Sequence, residues 1–454
     1  MPTTYTLVDI PYLDDGGDYF VRLVGQPGRV WLDSSFKSAN AQQYDIISAA
    51  PISLLSNPSA SDIDTALRQL QHAQTQQSDS LCDEIANLPF CGGAIGYFNY
   101  EHKHQDFGLP APTLPSLWGV FDWALIQNHQ EQRSQLVFTP SCPSQRVEYW
   151  RQILCGTKPQ QSDNTSVCSS DSFNVGNFRA DTSKAQYLEQ FQKIQNYIHA
   201  GDCYQINFAQ RFNADFAGDA AAAYRYLRNA LPGPYSAYLH LGQSHILSFS
   251  PEQFIEIDGR RAQSKPIKGT APRNKDHRLD QQYADDLRAS DKNRAENLMI
   301  VDLLRNDFSK SSEPWSVTVS KLFDLESYAN VHHLVSTIQS KLNSEVKPIE
   351  FLLSCFPGGS ITGAPKKRAM QIIDELETQP RNIYCGTIAY QSLNNKTNSN
   401  IAIRTLLQSG NKIYCWGGGG IVSDSTAESE YEESIQKVKV LMDTLQNASN
   451  TPNA

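Results

Sequence analysis

The sequence predicts an α+β fold with mainly antiparallel sheets, and three observations lead there. Strand-like stretches come in runs instead of alternating strictly with helices, which argues against a parallel, doubly wound sheet. Other segments carry apolar residues three to four apart, the spacing of helices that bury one face. The composition is that of an ordinary folded chain: 454 residues, 40% apolar and 19% charged, without the charge excess or apolar poverty of disorder.

Along the chain, residues 5–10, 30–32, 118–126 and 135–138 are short β-branched or aromatic stretches between turn residues, and they predict strands. A helix is predicted over 62–77. From 156 to 183, Gln, Ser, Asn, Asp, Thr and Gly displace large apolar residues, which reads as a linker or long surface loop. That stretch separates an amino-terminal region, 1–155, from a second region, 184–446, with 447–454 read as a disordered tail. The second region opens on an amphipathic helix over 184–199: Tyr187, Phe191, Ile194 and Tyr197/Ile198 recur at helical spacing, and Gly201-Asp202 stops it. Strands are predicted at 203–212, 236–241 and 253–257, then a long helical region over 276–307 and a helix over 365–377. Strands at 382–391, 401–407 and 412–415 and a closing helix over 427–445 complete the reading. No unit repeats with a fixed period.

Bulk properties exclude some functions. A formal net charge of -9 argues against nonspecific nucleic-acid binding, which rests on many Lys and Arg neutralising phosphates. An anionic substrate therefore needs a local basic pocket. No apolar run approaches the roughly 18 residues of a membrane span, and Met1 to Ile10 carry no basic cluster followed by an apolar run, so no secretory signal is expected. The nine cysteines include no CxxC pair and fit reduced thiols in a cytoplasmic protein.

Several constellations carry chemistry. In Ser264-Lys265-Pro266-Ile267-Lys268-Gly269-Thr270-Ala271-Pro272-Arg273, Pro and Gly bracket Lys268 on a short, stiff segment that could present its amine to a cavity. A protonated lysine is a poor nucleophile, so a catalytic one needs burial or a cationic neighbour, for which Lys265 and Arg273 are candidates; a solvated loop lysine is the plain alternative. Glu430 and Glu433, three apart on a predicted helix, share a face, and Glu296 lies in the earlier helical region beside an apolar stretch. Converging helices could offer such carboxylates to magnesium, which takes a few carboxylates plus water and substrate oxygens, although salt-bridged surface glutamates would look the same. Residues 356–367 (FPGGSITGAPKK) form a small-residue loop opening a helix with Pro365 near its first turn, where backbone N–H groups suit an anion; the GxxxxGK[ST] spacing is absent. Gly417 to Gly420 follow a predicted strand and would let a substrate approach the backbone, but do not fit GxGxxG. Arg404, alternating with apolar neighbours, should face away from them and offer a fork to a carboxylate. His333 could donate to a substrate oxygen or be a hydrogen-bonded core histidine.

Taken in order, PIKGT, AENLMIVDLLRND, HHLVS, PGGSITGAPK, CGTIAY, IAIRT, GGGGIV and ESEYEES resemble the chorismate-utilising enzymes, densely from about 185 to 445. Residues 1–155, with Trp31-Leu32-Asp33-Ser34 and Gly92-Gly93-Ala94-Ile95-Gly96-Tyr97, resemble the more variable amino-terminal part of the anthranilate synthase component I group. The resemblance implies an antiparallel β-sandwich flanked by helices with the active site between the sheets. It implies Mg2+ held by Glu296 and Glu433, with Glu430 close by, against the ring carboxylate of chorismate. Arg404, Ser360 and the backbone of Gly418, Gly419 and Gly420 match positions that grip substrate carboxylates, and His333 matches a histidine near the reacting ring.

Two positions choose the branch. Members that add water carry a lysine where this chain has Gln205, and anthranilate synthases usually carry a small residue where it has Lys268. The lysine implies C4 amination of chorismate to 4-amino-4-deoxychorismate, toward 4-aminobenzoate and folate: Lys268 attacks C2, Glu252 is general acid on the departing hydroxyl, and ammonia expels the lysine. No glutaminase signature is present; Cys91, in Phe90-Cys91-Gly92-Gly93, lacks a catalytic histidine pattern downstream, so ammonia is expected from a separate glutamine amidotransferase subunit. The family's tryptophan pocket maps to Ser34, the neighbourhood of Tyr44, and Pro234, Tyr235 and Ser236, with departures at Asp33, where the anthranilate-type pattern has glutamate, and at Ser236-Ala237, where it reads PYMF. The rival readings are an anthranilate synthase large subunit and a catalytically silent regulator that binds chorismate or tryptophan.

Overall fold

The computed structural model describes residues 4–34, 44–72, 83–156, 172–328 and 331–450. The end of the expected 62–77 helix, most of the 156–183 stretch and residues 451–454 of the expected tail lie outside the described residues.

Two antiparallel sheets carry the fold. The larger runs Thr6–Ile10, Arg133–Phe138, Trp123–Asn128, Tyr44–Ser48, Arg29–Asp33, Tyr235–His240, His245–Ser250, Thr405–Ser409, Lys412–Ile421, Gln205–Gly218 and Arg179–Ala180, with Gly363–Ala364 and Phe173–Val175 also on Gln205–Gly218. The second runs Ile267–Pro272, Val331–Lys341, Arg261–Ser264, Gln253–Asp258, Lys396–Asn400, Thr387–Ser392, Gly93–Phe98, Leu117–Phe121 and Ser53–Ser56, with Thr318–Ser327 added to Val331–Lys341. Strands from before residue 156 and after residue 184 share both sheets, joined in one by Arg29–Asp33 on Tyr235–His240 and in the other by Gly93–Phe98 on Thr387–Ser392.

Period-two patterning decides what lies between the sheets. From the larger sheet Val30, Ile46, Ile126, Leu239, Ile246 and Leu407 meet Ile95, Val120, Ile255, Ile338 and Ile388 of the other in one core. Their neighbours Trp31, Ile47, Leu125, Tyr238, Leu247 and Leu406 point the opposite way, onto Trp150 and Leu154 of helix Ser144–Cys155, Tyr224 and Leu227 of helix Ala220–Ala230, and Val438 and Leu441 of helix Ala427–Asn450. A third cluster packs Tyr187, Phe191 and Ile194 of helix Lys184–His199 on Ile372 and Ile373 of helix Lys366–Leu376 and on Phe208. Ser183 starts the former helix with a capping box to Gln186. The α+β architecture, a sandwich with helices on its outer faces, is the one expected.

Details differ where tertiary pairing overrides a local pattern. The single strand expected at 118–126 is two, Leu117–Phe121 and Trp123–Asn128, which part at Asp122 into different sheets. The 276–307 region is two helices, His277–Ala289 and Asp291–Ser309, and Ser290 ends one while its hydroxyl caps the other. Short strands Phe173–Val175 and Arg179–Ala180 fall in the stretch read as loop, because Gln205–Gly218 runs long enough to pair with both. Helix Ser144–Cys155 was not expected. The closing helix reaches Asn450, beyond the predicted 445. Among the described residues no helix is long and apolar enough to cross a membrane.

Candidate active site

The chain crosses from one sheet to the other at Pro251-Glu252, between His245–Ser250 and Gln253–Asp258, and again at Ile401 to Arg404, between Lys396–Asn400 and Thr405–Ser409. The crossings lie side by side: Ile401 N–H donates to Glu252 O at 3.1 Å, and Ser250 Oγ to Ile401 O at 2.6 Å. A cavity of about 410 Å³ opens beside them. It is lined by Glu252, Lys268, Glu296, His333, Ser360, Arg404, Gly418, Gly419, Gly420, Glu430 and Glu433, so every residue expected for catalysis, metal or substrate meets in one place.

Arg404 corrects one expectation. It is not an alternating strand residue; it stands just before Thr405–Ser409 with a positive φ of 51°, and that turn directs its guanidinium into the cavity. The residue is exposed where it opens on the cavity, and desolvation by the surrounding protein lowers its pKa.

Lys268 sits in a bulge. On strand Ile267–Pro272, Ile267 pairs with Val335 and Thr270 with His333, so Lys268 and Gly269 together oppose one partner residue. Gly269 adopts φ +87°, and the bulge turns the lysine from the sheet surface into the cavity. Burial lowers the pKa of its amine, opposed by Glu252 and Glu296 and assisted by the charge of Lys437. The cationic neighbours expected were Lys265 and Arg273, but these pair elsewhere, Lys265 Nζ with Glu326 at 3.4 Å and Arg273 with Asp280 at 2.9 Å. Glu252, only 7% exposed, has its carboxyl raised to about 7 by burial, against Lys268 and a hydrogen bond from Ser360 Oγ to Oε1 at 3.1 Å. Burial thus pushes both groups toward their neutral forms, the amine downward and the carboxyl up to about 7. His333 shares a 3.0 Å hydrogen bond between Nδ1 and Thr270 Oγ1, and burial, then Arg404, pushes it down to about 4, so the ring is neutral. Its neighbour His332 points to the other face of the strand, where Ser327 and Asp280 hold it.

Gly417 to Gly420 lie within strand Lys412–Ile421, not after a strand ending at 415. A Cβ on Gly419 would come 2.8 Å from Glu430 Oε2 and 3.5 Å from Glu433 Oε1, and one on Gly420 would meet Gln205 Nε2 at 2.3 Å. The bare backbone thus leaves room between strand and helix for both carboxylates. Glu430 Oε1 accepts from Ser425 Oγ at 2.7 Å, whereas its buried Oε2 has no partner. Glu433 Oε1 meets Lys437 Nζ at 2.6 Å. Among the described residues no three carboxylates close on one point as a complete metal cage. Glu430 with its free Oε2, Glu433 beside it and Glu296 from helix Asp291–Ser309 are oxygen donors of the type magnesium takes, and they would hold such an ion only together with water and substrate oxygens. In the 356–367 loop it is Ser360 and Ile361 that line the cavity; the helix start expected to hold an anion does not, and Lys366 there bonds to Asp307 and Cys355 O.

Among the described residues, those matched to a tryptophan pocket lie in several places, with residues 35–43 between Ser34 and Tyr44 outside the described residues. Ser34 Oγ donates to Tyr44 O at 2.5 Å, and strand pairing sets Ser236 opposite Asp33. Tyr235 and Ser236 line a small second cavity with Asp33, Tyr390, Asn398 and Asn400, while Pro234 lines another with Phe249, His333 and Arg404. Sequence reasoning missed Asn207, Lys292, Asn293, Tyr384, Trp416 and Lys437 of the main cavity. Lys437 was within reach, four residues after Glu433 on the same helix face.

Comparison with known proteins agrees with this geometry. The chain belongs to the family of chorismate binding enzymes, whose pattern matches residues 29–443. It is 40% identical to aminodeoxychorismate synthase component 1 of Klebsiella aerogenes, covering 97% of this chain and 99% of that protein. With aminodeoxychorismate synthase component 1 of Escherichia coli it shares 39% identity over 94% and 95%. Among solved structures, anthranilate synthase component I from Streptococcus pneumoniae superposes with a TM-score of 0.75 at 27% identity, covering 90% of this chain and 93% of that one.

Proposed function

We propose that this chain is the chorismate-aminating component of an aminodeoxychorismate synthase, converting chorismate and ammonia to 4-amino-4-deoxychorismate. The observation that carries the reading is Lys268, half-buried and aimed by a bulge at the cavity that holds Glu252. With its pKa lowered by burial, the amine attacks C2 of chorismate; the ring double bonds shift and the C4 hydroxyl leaves as water with the proton of Glu252. The proton shed by the new C2–N ammonium restores Glu252. Ammonia then adds at C4, the double bonds shift back, and the C2–N bond breaks as Glu252 protonates the departing Lys268 amine; the proton shed by the new C4 ammonium restores Glu252. Dividing one displacement in two lowers each barrier. Arg404, Ser360 and the backbone at Gly418 to Gly420 orient the substrate carboxylates. Magnesium on Glu296 and Glu433, with Glu430 beside them, would offset the ring carboxylate charge.

Two relatives named component 1 support a partner that supplies ammonia, and a glutamine amidotransferase fits because this chain carries no glutaminase signature. Tryptophan at the amino-terminal residues is a separate expectation, which calorimetry on ligand-free protein tests; no heat on adding tryptophan removes it. For the main reading, purified protein is incubated with chorismate, magnesium and ammonium salt, with and without an added 4-amino-4-deoxychorismate lyase. The reading requires 4-aminobenzoate only with the lyase. Anthranilate without it would make the chain a component of anthranilate synthase, and no turnover would leave a silent regulator.

A further inference from the structure

Beside the cavity an ion pair stands along an edge of Gln205–Gly218 where, among the described residues, no strand pairs. Strand Gln205–Gly218 pairs on one edge with Gly363–Ala364 only as far as Ile206, and Asn207 N–H still reaches Thr362 O at 2.8 Å. Regular contact resumes at Arg211 O, which accepts from Asp181 N–H at 2.8 Å. Between those points Asn207 O accepts from Arg381 Nη2 at 2.6 Å and Ala209 N–H donates to Glu377 Oε1 at 2.9 Å. Arg381 and Glu377 are joined by two hydrogen bonds, Nε to Oε2 at 2.8 Å and Nη2 to Oε1 at 2.6 Å. The fork continues the ladder with side chains.

The same guanidinium reaches three walls of the site. Its Nη1 donates to Ile361 O at 2.9 Å, next to Ser360, whose hydroxyl bonds Glu252. Its Cζ lies 5.8 Å from the ring centre of Tyr384 and 4.6 Å from that of Tyr100. Asn207, Ile361 and Tyr384 all line the cavity. Arg381 is 1% exposed and itself touches no cavity space. A buried ion pair adds little net stability over apolar side chains of similar volume, so stability alone does not explain its presence.

We infer that the Arg381–Glu377 pair is the positioning device of this site: standing in for a strand, it holds Asn207, the Ser360–Ile361 turn and Tyr384 in register, and through Ser360 it sets the Glu252 hydrogen bond. This rests on the chorismate-aminating reading for its kinetic test but not for its structural one. The groups facing Arg381 are Glu377, Glu101, Tyr100, His104, Tyr384 and Cys385; those facing Glu252 are Lys268, Lys437, Cys385 and the Ser360 hydroxyl, with Glu296, Glu433, His333 and Arg404 around the same cavity. Since the Ser360 bond holds the Glu252 carboxyl down, loosening the turn lets that carboxyl rise.

The test uses the full chain with ammonium as nitrogen donor and two variants, R381K and the double exchange R381M/E377M, which removes both charges together. In the folded double variant kcat should fall by about 100-fold with a smaller change in KM, as for a displaced catalytic group. The alkaline limb of its pH–rate profile should move upward, and hydrogen exchange in residues 358–364 should quicken. R381K, keeping the charge without the fork, should show the same limb shift to a smaller degree. A purely structural role would lower activity equally at every pH, and an unmoved limb with unchanged exchange in either folded variant overturns the proposal. Because exchange at 358–364 needs no turnover, it decides the positioning role even if the unaltered protein fails to aminate chorismate, an outcome that would sink the functional reading alone.

Discussion

Lys268 and Glu252 show how far a residue's chemistry depends on its surroundings. Burial disfavours charge on both, lowering the amine and raising the carboxyl to about 7, so each is pushed toward the form the reaction consumes. K268A should abolish or severely slow C4 amination while the thermal midpoint stays near that of the parent, because a half-buried lysine that forms no salt bridge among the described residues contributes little to folding; near-normal product formation would remove the lysine from the mechanism. The protonated Glu252 required as general acid is depleted as pH rises through about 7, so kcat/KM should decline on the alkaline side there. Stopped assays across that range check it, and a flat profile contradicts the assignment. The residue types and their order were legible in the sequence, and so was the shared helix face of Glu433 and Lys437; that this face meets Lys268 was not, because the helix lies far along the chain.

At the scale of elements, function sits where regular structure is interrupted. A bulge presents Lys268, a crossing between sheets presents Glu252, and a positive-φ turn presents Arg404. Each interruption breaks the alternation that would otherwise bury or expose the side chain. Gly269 shows the dependence most directly: a Cβ there would meet Leu287 Cδ1 at 2.8 Å and Asn293 Cγ at 2.9 Å, on a backbone at φ +87°. G269A should therefore destabilise by more than about 1 kcal/mol. It should also cut turnover by re-aiming Lys268, and melting curves read beside initial rates would detect both; a variant with normal rates would mean that the bulge does not set the lysine. The sequence marked the glycines near 417–420 as an approach to backbone, yet not that they continue a strand whose missing side chains leave space for Glu430 and Glu433.

Over the whole molecule, buried polar contacts tie the amino-terminal segment to the catalytic one. Glu101 Oε1 accepts from the backbone N–H groups of Arg381 and Asn382 at 2.7 and 3.2 Å, and burial raises its carboxyl to about 7. A carboxyl raised on folding contributes stability that is fully present below its unfolded value of 4.5 and is lost as pH climbs through about 7, here roughly 3 kcal/mol. E101Q keeps the accepting oxygen and cannot ionise. Its melting temperature relative to the parent should rise by several degrees between about pH 5 and pH 8, and a constant difference would show that Glu101 does not titrate within that window.

Read locally, the chain specified the class of fold, the helices with a clear apolar stripe and the set of residues able to do this chemistry, since periodicity and motif order are local properties. Assembly alone settled that residues 117–128 divide between two sheets, that Arg404 leaves the alternation, and that Arg381 and Glu377 complete an unfinished edge. Those outcomes depend on which strands find each other across hundreds of residues. Hydrogen-bond satisfaction in the assembled core selects them, and no local pattern records that selection.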